Sequence, residues 1–405
     1  MAFQSVIMLI TLTHACDLAT AGVFTIAYAS ANLFMIVGSY ATRTYQASDA
    51  SGDFSFSGYL STRIVTVVAM LVCVIVYLSL ISWQLGYPIE KSLAVFLMCL
   101  FKAIDAFEDV FFGNYQQHGR LDVAGLLLSI RLALCVVVFV VVILLTASLL
   151  IAIAADIVFS MLFLVGALVF VKKGAGLPIG DAVIQFSETK KLLRNCAPIF
   201  VATFLQFFII NAPRFAIDAT MNDAAQAIYG FIAMPVFIVS LLASFIYNPA
   251  VASLSRWWAT GEFERFIRRF LRLGLWILAI TFVCVALAFF LGVPVLNTLF
   301  NNDLSPYLIE LCILVTGGGL LAFVALFTVG ITIIRRQNSL IWGFGTTTLI
   351  VLIVSRYIVS LWGITGASWL YFVSMGILTL WFALVFITKV SRGIKSSDGF
   401  TNEAR

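Results

Sequence analysis

The sequence predicts an all-α, polytopic membrane protein of about twelve transmembrane helices in two six-helix lobes. Three observations support this prediction: an apolar composition, long apolar segments from end to end, and basic residues that recur at every second connection. Of the 405 residues, 62% are hydrophobic and only 11% are charged, whereas a soluble domain has roughly 45–50% apolar and about 25% charged residues. Too few polar residues remain to cover a water-exposed surface, so lipid is the expected solvent.

Twelve apolar segments are interpreted as membrane-spanning helices. At 1.5 Å per residue, about 20 residues cross a hydrocarbon core of about 30 Å, and every segment except the first has that length. The segments are 1–15, 22–41, 64–83, 92–112, 123–146, 149–171, 197–217, 225–247, 273–293, 307–334, 340–361 and 364–390. The first is either a short helix protected by its neighbours or part of a longer helix that starts upstream; the second alternative is favoured.

The positions of Lys and Arg predict the orientation. Most of the 24 Lys and Arg residues follow even-numbered segments, whereas the connections after odd-numbered segments hold only Lys91, with Arg356 near the edge of one of them. Because positive charge is retained on the cytoplasmic side, the even-numbered connections and both termini are expected to be cytoplasmic. A missed or invented helix early in the chain would destroy this alternation, which supports the count of twelve.

A weak internal repeat predicts where the two lobes meet. The same residue pattern follows the fourth segment at Gln117, Leu121 and Gly125 and the tenth at Gln337, Ile341 and Gly345. Transporters are often built from duplicated halves, and these positions fit a six-plus-six duplication. We therefore expect an N-terminal lobe over residues 1–185 and a C-terminal lobe over residues 186–405, with 172–196 as the linker.

The fourth segment contains ionisable residues that belong inside the membrane. Lys102, Asp105 and Asp109 share one helix face, and Glu108 lies beside them. Such residues are costly in lipid and by default indicate a functional site or a buried pair. Two interpretations remain open: part of a cation or proton site on a polar cavity wall, or a Lys102–Asp105 pair with carboxylates reaching the cytoplasmic interface.

The seventh segment combines Asn211, Pro213, Arg214 and Asp218. Proline removes a backbone donor and tends to kink a helix, and the planar donor fork of arginine suits a phosphate group. Arg214 is therefore a candidate anion-binding residue with Asn211 one turn before it. The alternative is a structural pair between Arg214 and Asp218.

Three further charged residues lie within apolar segments. Arg131, about two turns into the fifth segment, either lines a cavity or extends its side chain to the cytoplasmic interface. Asp156 and Glu310 are interpreted as interfacial, near the outer ends of their segments.

An amphipathic pattern covers residues 263–273, which read FERFIRRFLRL. The apolar residues Phe263, Phe266 and Phe270 share one face, and arginines occupy the other. This pattern predicts a helix along the cytoplasmic membrane interface; a plain basic loop that anchors the topology is the alternative.

Three consecutive glycines, Gly317, Gly318 and Gly319, lie in the middle of the tenth segment. Glycine weakens a helix and permits either a bend or close packing of a neighbour. Because no strand precedes them and no Gly-Lys-Ser/Thr follows, they do not form a phosphate-binding loop.

The sequence contains no catalytic motif, so we expect no enzyme activity, cofactor or structural metal. The seven cysteines lie in or near apolar segments without C-x-x-C spacing, and the only histidines, His14 and His118, are far apart. The connections predicted outside are short, the longest covering 294–306. A membrane glycan polymerase or acyltransferase, which needs a larger outer loop or a site rich in His, Asp or Arg, is thus a distant alternative.

Four stretches resemble the polysaccharide transporters, or O-antigen repeat-unit flippases, of the multidrug/oligosaccharidyl-lipid/polysaccharide flippase superfamily. They are 22–49 with Arg43, Tyr45, Gln46 and Asp49 after the second segment, 112–131 with GNYQQHGRLD, 211–218 with NAPRFAID, and 317–337. The resemblance covers nearly the whole chain. It implies two six-helix lobes around a central cavity, as in MATE transporters, in a bacterial cytoplasmic (inner) membrane.

The resemblance also implies a function. Such proteins flip polyprenyl-diphosphate-linked oligosaccharide to the outer leaflet by alternating access, for lipopolysaccharide or other polysaccharide biosynthesis. By position, Arg131, Arg214, Asn211 and Lys102 would bind substrate, and Asp105 and Asp218 would couple transport to Na⁺ or H⁺. Partners would be membrane lipid and other polysaccharide-assembly membrane proteins, with no nucleic acid. A cation-coupled small-molecule or drug exporter of the same fold is the main alternative.

Overall fold

A computed structural model of the protein describes residues 2–49, 52–174 and 186–402. Every regular element in these ranges is helical, which confirms the predicted all-α class. The chain divides into two compact units, which are described separately. The N-terminal unit comprises Met1–Phe207 and Asn222–Ala227, and the C-terminal unit comprises Phe208–Met221 and Ile228–Arg405. The predicted lobe boundary after residue 185 and part of the linker fall outside the described residues, so that boundary stays a prediction.

The N-terminal unit is built around one central helix. Its helices are α1 (Ala2–Ala15), α2 (Leu18–Ser39), α3 (Thr42–Ser48), α4 (Phe56–Leu85), α5 (Ile89–Gln117), α6 (Leu121–Thr146), α7 (Leu149–Gly174) and the first part of α8 (Thr189–Thr220). Helix α5 packs against α2, α3, α4, α6 and α7. Lys102, Asp105 and Glu108 on α5 are therefore enclosed by protein.

Short polar caps set where these helices begin and end. The carboxylate of Asp17 accepts a hydrogen bond from the Thr20 backbone N–H at 3.1 Å and starts α2. The Ser55 hydroxyl accepts one from the Gly58 N–H at 3.0 Å and starts α4. Both caps satisfy backbone donors that the first helical turn leaves unpaired. Gly86, with φ of 64°, ends α4 in the left-handed conformation that glycine adopts without strain.

The C-terminal unit is also built around one helix. Its elements are the remainder of α8, the part of α9 (Asp223–Ala233) from Ile228 on, α10 (Pro235–Tyr247), α11 (Val251–Ala259), α12 (Phe263–Leu287), a π-helical turn (Ala288–Gly292), α13 (Val293–Phe300), α14 (Leu308–Ile333) and α15 (Asn338–Asn402). Helix α14 packs against α10, α12 and α15.

The triple glycine of α14 serves close packing, one of its two predicted roles. A Cβ at Gly317 would lie 2.7 Å from the Tyr371 ring, one at Gly318 would lie 3.1 Å from Val236, and one at Gly319 would lie 2.2 Å from Thr281 Cγ2. The three glycines thus face three different helices, and α14 runs through them as one α-helix. Without side chains at these positions, three neighbours approach the α14 backbone.

The predicted spans account for the observed helices. Within the described residues, nine helical runs are long and apolar enough to cross a bilayer. One of them, Asn338–Val390, holds two predicted spans, because Gly363 interrupts the helix with φ of 57° and ψ of −134°. The two remaining predicted spans are α1, with only 14 residues, and α5, whose many charges lower its hydropathy. These sum to about twelve transmembrane helices, as predicted.

The structure corrects the interpretation of residues 263–273. They form the first turns of the continuous helix α12 rather than a separate helix along the interface. Phe266 and Phe270 are buried, and their ring centroids lie 6.0 Å and 4.2 Å from that of Phe386. The apolar face is therefore covered by α15. The sequence pattern of one helix is the same whether its apolar face contacts another helix or lipid.

Candidate functional site

The N-terminal unit encloses a charge network on α5 and α6. Lys102 Nζ lies 2.8 Å from Asp105 Oδ2, and Arg131 donates a hydrogen bond to Asp105 Oδ1. Arg131 Nε also forms an ion pair with Glu108 Oε2 at 2.9 Å. All four side chains are at most 3% exposed. The expected Lys102–Asp105 pair is present. Arg131 is a member of this network, and its side chain does not extend to the membrane interface.

The helical repeat explains why these groups meet. Lys102, Asp105 and Glu108 follow each other at intervals of three residues, which places them along one side of α5. The Lys102 ammonium also lies 5.0 Å from the Tyr28 ring centroid and 5.2 Å from that of Phe101. Such cation–π contacts compensate part of the lost hydration of a buried cation.

Asp156 on α7 joins the same network, which corrects its interpretation as interfacial. It is 2% exposed and lies within electrostatic range of Lys102, Asp105 and Arg131. Its Oδ1 atom is buried and has no hydrogen-bond partner within the described part of the chain. Residue 156 is seven residues from the start of α7, about 10 Å along the helix, and α7 packs against α5. Because of this position along α7 and the packing of α7 on α5, the carboxylate lies inside the unit.

The network has more acid than base. Lys102 and Arg131 supply two positive charges, whereas Asp105, Glu108 and Asp156 supply three carboxyl groups. A buried charge without a counter-charge is costly, so the set is balanced when one carboxyl carries a proton or a monovalent cation binds beside it. Among residues 2–49, 52–174 and 186–402, no group of three or more His, Cys, Asp or Glu side chains has an arrangement that could hold a metal ion.

A second ionic cluster of the N-terminal unit centres on Asp109. Its two carboxylate oxygens lie 3.0 Å from Arg43 Nη1 and 3.1 Å from Arg63 Nη2. Arg63 is fully buried and also donates to the Gly38 carbonyl at 2.9 Å. Residue 63 precedes the predicted third segment, 64–83, but because α4 begins at Phe56, Arg63 lies inside that helix. This cluster ties α2, α3, α4 and α5 together, which is a structural role.

The C-terminal unit presents a different arrangement around Arg214 on α8. Arg214 Nη1 donates to Asn211 Oδ1 at 2.9 Å, and the guanidinium carbon lies 5.8 Å from the Tyr229 ring centroid. Asn211 is 7% exposed, whereas Arg214 is only partly buried. No carboxylate forms an ion pair with Arg214 in the described part of the chain. Asp218 is also partly buried, one turn further along α8.

Two tyrosines complete this cluster, and sequence reasoning missed both. Tyr229 on α9 and Tyr371 on α15 are 2% and 3% exposed, and both lie within electrostatic range of Arg214. The Tyr371 hydroxyl has no hydrogen-bond partner among the described residues. Their segments read as ordinary apolar helices, so local sequence carries no signal for them. The Arg214 cluster, defined as Asn211, Arg214, Tyr229 and Tyr371, can chemically bind an anion that also accepts hydrogen bonds.

Comparison with solved structures identifies the fold. An inward-facing multidrug resistance MATE family transporter of the MOP superfamily matches with a TM-score of 0.70 and 15% identity, over 98% of this chain and 95% of that one. An outward-facing one matches with a TM-score of 0.60 and 14% identity, over 97% and 95%. A Pyrococcus furiosus MOP superfamily transporter, described as having a binding pocket of reverse polarity, matches with a TM-score of 0.61 and 16% identity, over 96% and 92%.

The chain is therefore a multi-pass membrane protein with a MATE-like fold, as predicted. Neither a protein-family model nor a curated protein matches the sequence. At such low identity the likeness concerns the fold.

Proposed function

We propose that this protein is an alternating-access transporter that flips a polyprenyl-diphosphate-linked oligosaccharide from the cytoplasmic to the outer leaflet of a bacterial inner membrane. The observation that carries the proposal is Arg214, a partly buried arginine with no ion-pair partner among the described residues, beside the Tyr371 hydroxyl, which has no hydrogen-bond partner there. The MATE-like fold supports transport in general, and the Arg214 cluster supports an anionic substrate.

The chemistry of the cluster fits a diphosphate. Arginine stays charged and presents a planar fork of donors that can bind two phosphate oxygens at once. Partial burial lowers the local dielectric and strengthens the attraction relative to bulk water. Asn211 orients the guanidinium through its hydrogen bond, and the tyrosine hydroxyl can donate to a phosphate or sugar oxygen.

The charge network of the N-terminal unit supports coupling to H⁺ or Na⁺. While Asp105 is ionised, it forms ion pairs with both Lys102 and Arg131. A proton or a cation bound at Asp105 would weaken these two ion pairs, so that Lys102 and Arg131 attract the diphosphate more strongly. Asp105 is the proposed coupling residue because it contacts both cations, and Asp218 is the proposed counterpart on α8.

A cation-coupled exporter of small molecules is the second candidate. The surplus of carboxyl groups around Asp156 favours it, because such a site could accept an organic cation instead of a coupling ion. Two of the solved structures of this fold are described as multidrug resistance transporters. The two candidates differ in what they require of Arg214, which a cationic substrate would not use.

The test is to deplete the protein in its native bacterium and measure lipid-linked oligosaccharide and surface polysaccharide. We expect lipid-linked oligosaccharide to accumulate on the cytoplasmic leaflet and the surface polymer to disappear. Arg214→Ala should reproduce this loss, with transport reduced at least tenfold. Arg356→Ala is the matched control, since Arg356 is an exposed arginine of the same unit.

The opposite result is equally clear. Unchanged lipid-linked pools and normal surface polysaccharide, combined with increased drug sensitivity on depletion, would contradict the flippase proposal. That result would support the exporter, particularly if the Arg214→Ala variant restored drug resistance as well as the unchanged protein.

A further inference from the structure

An apolar groove lies on the C-terminal unit between α12, α14 and α15. Its volume is about 690 Å³, and all of its lining side chains are apolar. Leu271 and Leu278 form one wall and are 62% and 57% exposed, so the groove opens to the outside of the unit. The volume falls in the range of about 300–1,000 Å³ that is usual for ligand pockets. The groove is thus large enough for a bound molecule.

Stacked aromatic rings form the floor of the groove. The Phe270 and Phe386 centroids are 4.2 Å apart with near-parallel rings, and Phe327 lies 5.7 Å from Phe270 and 5.8 Å from Phe386. Gly274 gives the groove its depth, because a Cβ there would meet only the Phe323 ring, at 3.5 Å. Interlocked rings hold the floor in place, which makes the groove a preformed feature of the unit.

The length of the groove corresponds to one leaflet. Its lining on α12 runs from Ile267 to Leu278, which at 1.5 Å per residue is about 16 Å. Half of a hydrocarbon core of about 30 Å is about 15 Å. An acyl chain from one leaflet therefore matches the groove from end to end.

Basic residues flank the groove where α12 begins, over about the first half of its length. Arg268 and Arg272 are exposed on the first turns of α12, directly after the lining residues Ile267 and Leu271. Lys389 on α15 precedes the lining residue Val390. Glu264 pairs with Arg268, whereas Arg272 has no ion-pair partner among the described residues. This end of the groove thus carries net positive charge suited to an anionic headgroup.

We propose that the groove binds an anionic phospholipid of the surrounding bilayer, with one acyl chain along α12 and the phosphate group at Arg268 and Arg272. By the positive-inside rule this lipid belongs to the cytoplasmic leaflet. Juxtamembrane arginines attract anionic lipids, and the apolar walls offer a saccharide no hydrogen bonds. The proposal is independent of the transported substrate, since it uses none of the Arg214 cluster.

Native mass spectrometry of the purified full-length protein tests the proposal, with phosphatidylglycerol, phosphatidylcholine and a polyprenyl phosphate as probes. We expect phosphatidylglycerol to bind at least tenfold more tightly than phosphatidylcholine. Gly274→Leu, which fills the groove, should abolish this binding. The double variant R268Q/R272Q should reduce the preference for phosphatidylglycerol to about twofold or less.

Controls keep the test specific. Gly345→Leu is matched to Gly274→Leu, because a Cβ at Gly345 meets nothing within 4 Å, and it should bind lipid like the unchanged protein. If Gly274→Leu elutes as an aggregate, Leu278→Phe replaces it as the groove-filling variant. Equal binding of both phospholipids would overturn the proposal. Tighter binding of polyprenyl phosphate, lost on filling the groove, would also overturn it and assign the groove to a polyprenyl chain.

Discussion

The central helices of the two units are held against their neighbours by different kinds of contact. Helix α5 of the N-terminal unit is held by buried ion pairs, with Asp105 between Lys102 and Arg131. Helix α14 of the C-terminal unit is held by close packing at three glycines. In lipid, the hydrophobic effect contributes little to helix association, so both polar contacts and small residues serve instead. The N-terminal unit thus holds its central helix with a buried set of opposite charges, whereas the C-terminal unit holds its central helix by packing and contains a partly buried arginine, Arg214, without an ion-pair partner among the described residues.

The largest expected effect concerns the shared carboxylate of α5. Asp105→Ala leaves two buried cations without their common partner, and breaking a buried ion pair costs about 3–5 kcal/mol. Thermal unfolding in detergent should therefore show a large fall in the midpoint temperature. Asp53→Ala, at an exposed carboxylate in the connection before α4, is the control and should leave the midpoint unchanged. A small effect of Asp105→Ala would show that the network does not hold the N-terminal unit together.

The glycine contact is expected to rank second. Gly319→Ala places a methyl group 2.2 Å from Thr281 Cγ2, and overpacking of this kind costs about 1–3 kcal/mol. The same thermal assay should show a moderate fall in midpoint temperature. Gly345→Ala, which enters open space, should match the unchanged protein. Equal midpoints for both alanine variants would mean that α14 and α12 separate without cost.

Asp156 should behave differently from Asp105, although both carboxyl groups belong to one network. Asp156→Asn removes the surplus negative charge and the cost of burying it, so stability should stay equal or rise by about 1 kcal/mol. The midpoint temperature measures this directly. If the amide variant is as unstable as Asp105→Ala, Asp156 is a necessary counter-charge and the network has no surplus acid.

The smallest expected effect is at Asp49, outside the membrane-spanning segments. Burial would raise the pKa of this carboxyl, but hydrogen bonds donated by the Asp53 and Phe54 backbone N–H groups and the Tyr59 hydroxyl outweigh it and lower the pKa below 3.8. Because Asp49 binds a proton more readily in the unfolded chain, its carboxylate contributes its full stabilisation at pH values above 3.8, the ordinary pKa. This stabilisation is lost as the pH falls below that value.

Asp49→Asn removes this titration and provides the matched comparison. We expect the unchanged protein to be modestly more stable than the variant at neutral pH. The difference between the two midpoints should shrink as the pH is lowered through 3.8. A difference that stays constant with pH would show that the carboxylate charge makes no contribution.

The sequence alone predicted the membrane class and the positions of about twelve helices, from hydropathy and the alternation of charge. Hydropathy also predicted the interruption near Gly363, and helical spacing predicted the Lys102–Asp105 pair. Each of these depends on residues close together in the chain, or on the fixed thickness of the bilayer. The sequence misplaced Asp156 and Arg63, and it gave no signal for Tyr229 and Tyr371. The pattern of an apolar helix does not show which face contacts protein and which contacts lipid, because both faces are apolar. The packing of helices that are distant in sequence determines which face is buried, and therefore which side chains form each site.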